Sequence, residues 1–592
     1  TSVWGTNNQK INRNMIKTSF DIIIPGVQGL GVDGYFAYNR DETIGKLWQK
    51  PFNVYNYDKL TDTYIPITGG FILAPQLTQS SNVGKSTLFN LRVKYEKQIN
   101  DHHINLFVAV EQSESRNSSF SAFRRNYLSS TIDELFAGSP IDQVTDGTTS
   151  ESGRKNFFGR FNYGFKDKYL LDFNYRYDGS SNFPKGKQWG FFPGVSIAWR
   201  ISQENFIKNN FKIVNNLKIR ASYGQIGNDA IAAFQNLRLY SLNGNGYTYG
   251  TTQAATQGLI AGVSPNPNIT WEVAKTSNIG LDAGLWNDKL GIVLDIFKQR
   301  RSNILSTRDL AIPIYTGLIL PNENIGIVEN KGFELQLSHS NKIDAFTYRV
   351  AGNVTYAKSN VIYISDPSNV PAWQKAAGHI LGSDLYYHAI GIFRTQAEVE
   401  TSPKWTGTEV GDLKYEDVNA NDEIDAGDMV RMDKPSIPEI TFGFNLSMSY
   451  KNFALWANFT GATRVWQYYL LDSRIADNNL AEVIINRYTP GSMNSKYPWL
   501  PTQGTESEVS GLHSTFWLKN VSYGRLKTLE LSYSLPEKLL SKIKISSMKV
   551  FINGNNLITI DGLKWVDPEN TSQSGQFYPQ SKIYNLGINI SF

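Results

Sequence analysis

Six oxygen-bearing side chains crowd one short stretch of the chain: Asp417, Asn419, Asn421, Glu423, Asp425 and Asp428. They fall at positions 1, 3, 5, 7, 9 and 12 of a loop register that suits calcium, with hard oxygen ligands at alternate positions and position 7 binding through its backbone carbonyl. Two positions depart from that pattern. Position 6 is Asp422 instead of glycine, and position 12 is Asp428 instead of the longer, bidentate glutamate. The flanks read as barrel loop, not as paired helices. The plainer reading is a solvated acidic turn whose Asx side chains bond their own backbone. Ca²⁺ is the only cofactor the sequence suggests.

A second set of candidates is aromatic. Trp373, Tyr386, Tyr387 and Trp405, together with Trp466, Tyr468, Tyr469, Trp499 and Trp517, lie in or beside long polar connections. Flat rings with polar neighbours can stack on sugars or on peptide side chains, and the first four are the candidate substrate-binding residues. The alternative for each is a packing anchor or a ring at a membrane interface. Catalytic constellations are missing from the sequence. The six histidines are scattered, no H-E-x-x-H occurs, and no glycine-rich phosphate loop precedes a helix. Without cysteine, a disulfide framework, a zinc-thiolate site and a cysteine nucleophile are all excluded. The sequence therefore does not read as an enzyme. A net charge of +5 over 58 basic and 53 acidic residues gives no concentrated basic face for nucleic acid.

The elements that must position these residues are strands. Tyr169, Leu171, Phe173, Tyr175 and Tyr177 alternate with Leu170, Asp172, Asn174 and Arg176, and the same period of two recurs at 89–96, 279–296, 346–354 and 442–459. No run of about 18 apolar residues exists to make a membrane helix. Short turns near 167, 288, 343 and 452 alternate with long polar connections at 113–155, 358–386, 396–438 and 463–515. Strands of about 9–11 residues cross a bilayer, and outer-membrane barrels keep short turns on one side and long loops on the other. A β-sandwich also alternates, but its strands are typically about 5–6 residues long. The expectation is an all-β, transmembrane antiparallel β-barrel with roughly 16–19 strands in this chain, by count of such alternating segments. Aromatic residues make up 13% of the chain, enough to furnish interfacial girdles. Two loop segments, Ser129–Ala137 and Ala476–Arg487, read as short helices. Thr1–Gly5 lacks the basic start and apolar core of a signal peptide, so the numbering is expected to begin partway through a longer protein.

Four stretches then carry a family resemblance. They are Gly159–Arg200, Leu217–Asn228, the acidic loop Gly411–Asp428 with Pro438-Glu439 and Gly443–Asn445, and a C-terminal series. That series runs through Leu526–Leu529, Leu535-Pro536, Val550–Leu557, Asp567-Pro568-Glu569 and Tyr578-Pro579-Gln580 to the last strand. In this order they resemble the SusC/RagA family of TonB-dependent outer-membrane transporters of Bacteroidetes. The resemblance implies a 22-stranded barrel, of which residues 1–592 are a partial barrel domain, preceded by a plug and a TonB box that are not found in this chain. It implies import of oligosaccharides or oligopeptides across the outer membrane, with a SusD-like surface lipoprotein and the TonB complex as partners. A structural or scaffold barrel within a larger envelope assembly is the alternative. Finally, Tyr584, Leu586, Ile588, Ile590 and Phe592 alternate to the chain's last residue. They suit outer-membrane lipid on one face and resemble the C-terminal signal read by barrel-assembly machinery.

Overall fold

In the computed structural model the described residues are 4–592 except 70–71, 252–253, 309–315, 470–484, 493, 500–508, 542–544, 564–565, 571 and 573–579. Seventeen strands form one sheet. In chain order they are β1 (Gly5–Ile23), β2 (Leu30–Gln49), β3 (Gln76–Ile99), β4 (His102–Arg125), β5 (Gln143–Phe165), β6 (Tyr169–Ser180), β7 (Trp189–Arg200) and β8 (Val214–Asn228). The series continues with β9 (Glu272–Leu285), β10 (Leu290–Thr307), β11 (Asn322–Ile343), β12 (Phe346–Tyr363), β13 (Ile440–Tyr450), β14 (Phe453–Thr463), β15 (Tyr523–Ser534), β16 (Ser547–Asp561) and β17 (Ile583–Ser591). Each pairs antiparallel with the next in sequence, and among the described residues β1 pairs only with β2 and β17 only with β16. This meander satisfies the backbone by strand pairing, which is what a membrane-crossing sheet requires. Among the described residues no helix is long and apolar enough to cross a membrane.

The period of two sets the faces. Ile279, Ile296, Phe333 and Leu337 are exposed on the outer face, as are Tyr169, Phe173 and Tyr177. The opposite face carries ion pairs such as Arg92–Asp33 at 3.1 Å and Arg220–Asp295 at 2.6 Å. The short turns lie where the sequence places them. At one of them Lys166 and Asp167 both take φ of 52°, the left-handed conformation that reverses a tight hairpin.

Two expectations change, and a third falls mostly outside the described residues. The connection at 113–155 is mostly strand: β4 and β5 pair residue by residue from His102↔Phe165 to Arg124↔Gln143, leaving 126–142 as the connection. Its Ser, Asn and Thr residues look like loop by composition, yet the ladder uses backbone groups and needs no apolar face above a membrane. The helix at Ser129–Ala137 shrinks to a single 3-10 turn, Leu135–Ala137, whose N-terminal residue Glu134 makes no side-chain cap. Residues 476–484 of the other expected helix lie outside the described residues.

Candidate functional site

The long connections gather over one end of the sheet. Within them, Asp384–Tyr387 pairs with Met429–Met432, Ala389–Ile392 with Leu413–Tyr415, and Trp466–Tyr468 with Leu518–Asn520. The loops thereby acquire backbone ladders of their own and two small cores. One holds Tyr386, Tyr469, Trp517, Val521 and Val566, and the other Tyr387, Leu413, Tyr415, Ile424 and Val509. Segments far apart in sequence are tied in both. The Tyr415 hydroxyl donates to the Val509 carbonyl at 2.6 Å, and the Tyr469 hydroxyl donates to the Asn570 carbonyl at 3.1 Å. The Ser510 hydroxyl donates to buried Asp412 at 2.8 Å. These connections form a self-packed cap.

The candidate aromatic residues take particular places in that cap. Tyr386 and Tyr387 are only 5% and 4% exposed, so both rings are covered by the loops themselves and present no open stacking face. Tyr386 stacks on His513 at 4.4 Å, and Tyr387 meets Trp405 edge-on at 5.8 Å. Burial in this apolar setting pushes the Tyr386 and Tyr469 hydroxyls up to about 12. Trp373 is half-buried, and its indole donates to the Gly427 carbonyl at 3.0 Å. Trp405 is half-buried against the second core. All four rings take part in contacts within the cap, and Trp373 and Trp405 keep part of their surface exposed. The sequence shows aromatic residues in loops, but it does not show which segments will lie on top of them.

The acidic loop closes on itself. Asp417 accepts from the backbone N–H groups of Asn421 and Asp422 at 3.2 and 2.9 Å. Asn419 and Asn421 accept from Asn421 and Glu423, and Asp425 accepts from Gly427. Asp428 is fully buried and takes three backbone donors, from Val418, Asn419 and Asp425, at 2.8–3.2 Å. Asp422 holds φ of 64°, the left-handed turn for which position 6 of a calcium loop usually takes glycine. Among the described residues no group of three or more His, Asp or Glu side chains is gathered as a metal site. Trp373 and Gln374 dock on the carbonyls of Ala426 and Gly427, so the loop also clamps its neighbour.

Reading the sequence passes over one residue that organises this end of the molecule. Arg525, near the start of β15, has a side chain 1% exposed. Its guanidinium donates to Asp567 at 2.6 Å, to Glu569, to Gln580 at 2.6 Å and to Thr559 at 3.1 Å. Asp567, Glu569 and Gln580 belong to two of the C-terminal motifs, and their convergence on one buried arginine gives those motifs a physical purpose. They fasten the connection between β16 and β17 to the wall. An arginine within a strand followed by two clustered acids is the signal that could have found it. Between the strands β2 to β5 and the connection that follows β8, an open recess of about 660 Å³ is lined by Tyr38, Lys85, Glu114, Arg116, Glu151 and Phe234 among others.

Known proteins resemble this arrangement. Two TonB-dependent receptors of Formosa agariphila are 27% identical over 538 residues and 30% identical over 468 residues, covering 86% and 74% of this chain and 52% and 46% of theirs. The TonB-dependent receptor SusC of Bacteroides thetaiotaomicron is 25% identical over 519 residues, or 85% of this chain and 50% of SusC. The chain thus spans about half the length of these relatives. In fold it is similar to the structure of the RagAB peptide transporter, with a TM-score of 0.76, 22% identity, and coverage of 99% of this chain and 62% of that one. The family described as TonB dependent receptor-like, beta-barrel matches residues 2–557. With the match running through nearly every strand of the wall, this chain belongs to that family and is an outer-membrane protein related to SusC.

Proposed function

We propose that this chain supplies the barrel of a TonB-dependent importer of oligosaccharides or oligopeptides, with a SusD-like surface lipoprotein seated over its long-loop end. The observation that carries this reading is the self-packed cap. Its loops hold two buried cores and three strand pairs of their own, so they present a firm rim on which a surface subunit can sit. Loose loops would pay an ordering cost on every docking event. The relatives that share the strand series are receptors and a peptide transporter by name. Import would draw on TonB acting through a plug. Deleting the gene and testing growth on defined glycans and peptides as sole nutrient decides the matter: loss of growth on one class is expected, and unimpaired growth on all of them rejects import.

The alternating run Tyr584, Leu586, Ile588, Ile590 and Phe592 serves, on the same reading, as the signal for barrel-assembly machinery. Its side chains are 44–91% exposed on β17 and just beyond it. Deleting Phe592 should lower the outer-membrane level of the protein severalfold in a membrane-fraction immunoblot, and an unchanged level would remove that role.

A further inference from the structure

Strands β9 to β12 carry a row of cations on the lipid-facing side of the wall. The outer face is apolar up to Ile279, Ile296, Phe333 and Tyr356, which lie opposite one another in part: Ile279↔Ile296, Ile296↔Phe333 and Phe333↔Tyr356. Moving toward the long-loop side, the next outward residues are Ser277, Lys298, Lys331 and Lys358, again directly opposite one another. One further step brings Lys275 across from Arg300. Arg464, just after β14, adds a guanidinium 5.8 Å from the Tyr356 ring.

Two features of this row require an explanation. Directly opposed side chains in an antiparallel pair have Cβ atoms roughly 5 Å apart, and like charges placed there repel. Lys298, Lys331 and Lys358 are three such neighbours. Among the described residues the only ion pairs in the group are Lys298–Glu329 at 3.0 Å and Arg464–Glu439 at 3.3 Å. Six cations against two carboxylates leave a net charge of +4. On β2 to β5 another row of opposed cations, Arg40, Lys85 and Arg116, lies among as many carboxylates, Glu42, Glu114 and Glu151, with Arg116–Glu151 at 3.3 Å and Arg40–Glu42 at 3.7 Å. On β6 and β7 the outward positions near the same end are aromatic, with Tyr177 across from Phe191. Neither of those two regions carries the uncompensated charge found on β9 to β12.

Its height identifies the occupant. Lys331 and Lys358 each lie twelve residues from the short turn between β11 and β12. At about 3.4 Å per residue and a tilt of roughly 45°, that is a rise of about 29 Å, against an apolar band of roughly 25 Å. The row therefore sits at the headgroup level of the outer leaflet, immediately above the lipid-facing rings. We propose that this face binds the phosphorylated headgroup of an acylated glycolipid, of which lipid A is the representative. The acyl chains would lie against Ile296, Phe333 and Leu337, and the phosphates would bridge Lys298, Lys331 and Lys358.

The test uses the full-length protein in detergent with four probes: bisphosphorylated lipid A, its dephosphorylated form, phosphatidylglycerol and inorganic phosphate. Binding is read by native mass spectrometry and by the shift in melting temperature. Wild type should bind bisphosphorylated lipid A at least tenfold more tightly than the other three. Lys298→Gln/Lys331→Gln/Lys358→Gln should lose that preference, whereas the Lys→Arg triple keeps it and Lys85→Gln/Arg116→Gln does not alter it. Without lipid the Gln triple should melt no lower than wild type, because repulsion is removed; if it fails to fold, Lys331→Gln alone should still show a severalfold loss. Equal binding by the Gln and wild-type proteins, or binding that ignores the lipid's phosphates, overturns the proposal. Inorganic phosphate binding as tightly as lipid A would also overturn it, by showing an ion site without a lipid.

Discussion

Asp428 and Arg525 are buried charges that bind the chain to itself, and both yield direct predictions. Asp428 holds three backbone N–H groups in its own loop. Asp428→Ala leaves those donors without their acceptor and should cost about 2 kcal/mol of local stability. Hydrogen exchange at 417–428 should accelerate to the same degree with calcium or with a chelator present. Protection restored by calcium alone would show that an ion, not the carboxylate, organises the loop. Arg525→Ala strands Asp567 and Glu569 and should cost about 3–5 kcal/mol, the usual penalty for halving a buried pair. Lysine should not rescue it, since one ammonium cannot replace a fork that reaches four partners. Limited proteolysis between 562 and 582 is the readout. A pH prediction follows from Tyr386 and Tyr469. Their hydroxyls are held at about 12 in the fold, against about 10 when free. The folded cap therefore keeps protons that the unfolded chain loses, so its stability is full below pH 10 and falls as pH rises from about 10 to 12. Tyrosinate absorbance and loop proteolysis should rise together in that window.

At the scale of elements, the membrane-crossing strands were legible because one face must meet lipid, which leaves an alternating signature in Tyr169–Tyr177 or Phe442–Tyr450. The strand segments at 113–125 and 143–155 were not legible. Above the bilayer both faces meet water, so nothing in residue type marks strand from loop there. The cap was hidden for a different reason. Its aromatic residues are visible in the sequence, but burial of Tyr386 and Tyr387 depends on segments more than a hundred residues away, such as Val509 and Thr515. One backbone position shows how those segments meet. Gly411 has φ of 100°, and a Cβ there would lie 2.4 Å from the Tyr488 ring and 2.9 Å from the Trp499 Cβ. Its carbonyl also receives the Trp499 N–H at 2.7 Å. Gly411→Ala should separate the two longest loops, costing about 2 kcal/mol from strain in a left-handed position. Faster hydrogen exchange near both 411 and 499, with the barrel strands unaffected, is the expected pattern.

For the whole molecule, the uneven lengths of the strands set the height of the wall. β3 and β4 are each 24 residues long, whereas β13 and β14 are 11. At about 3.4 Å per residue and roughly 45° of tilt, the long strands climb to about 58 Å and the short ones to about 26 Å. The chain contains no cysteine, so single introduced thiols can report this difference cleanly. Ser118→Cys, on the tall part of β4, should react in intact cells with a membrane-impermeant maleimide. Phe173→Cys, within the lipid-facing run of β6, should not. Comparable labelling at both positions would contradict the placement of the bilayer. If the placement holds, the mouth of this barrel has a parapet on one side, formed by bare paired backbone standing some 30 Å clear of the membrane. Over the short strands β13 and β14 stands the self-packed cap, built from the connections 364–439 and 464–522, so an antibody, a phage or a large polymer arriving from outside would meet tall paired strands at one part of the rim and packed loops at another.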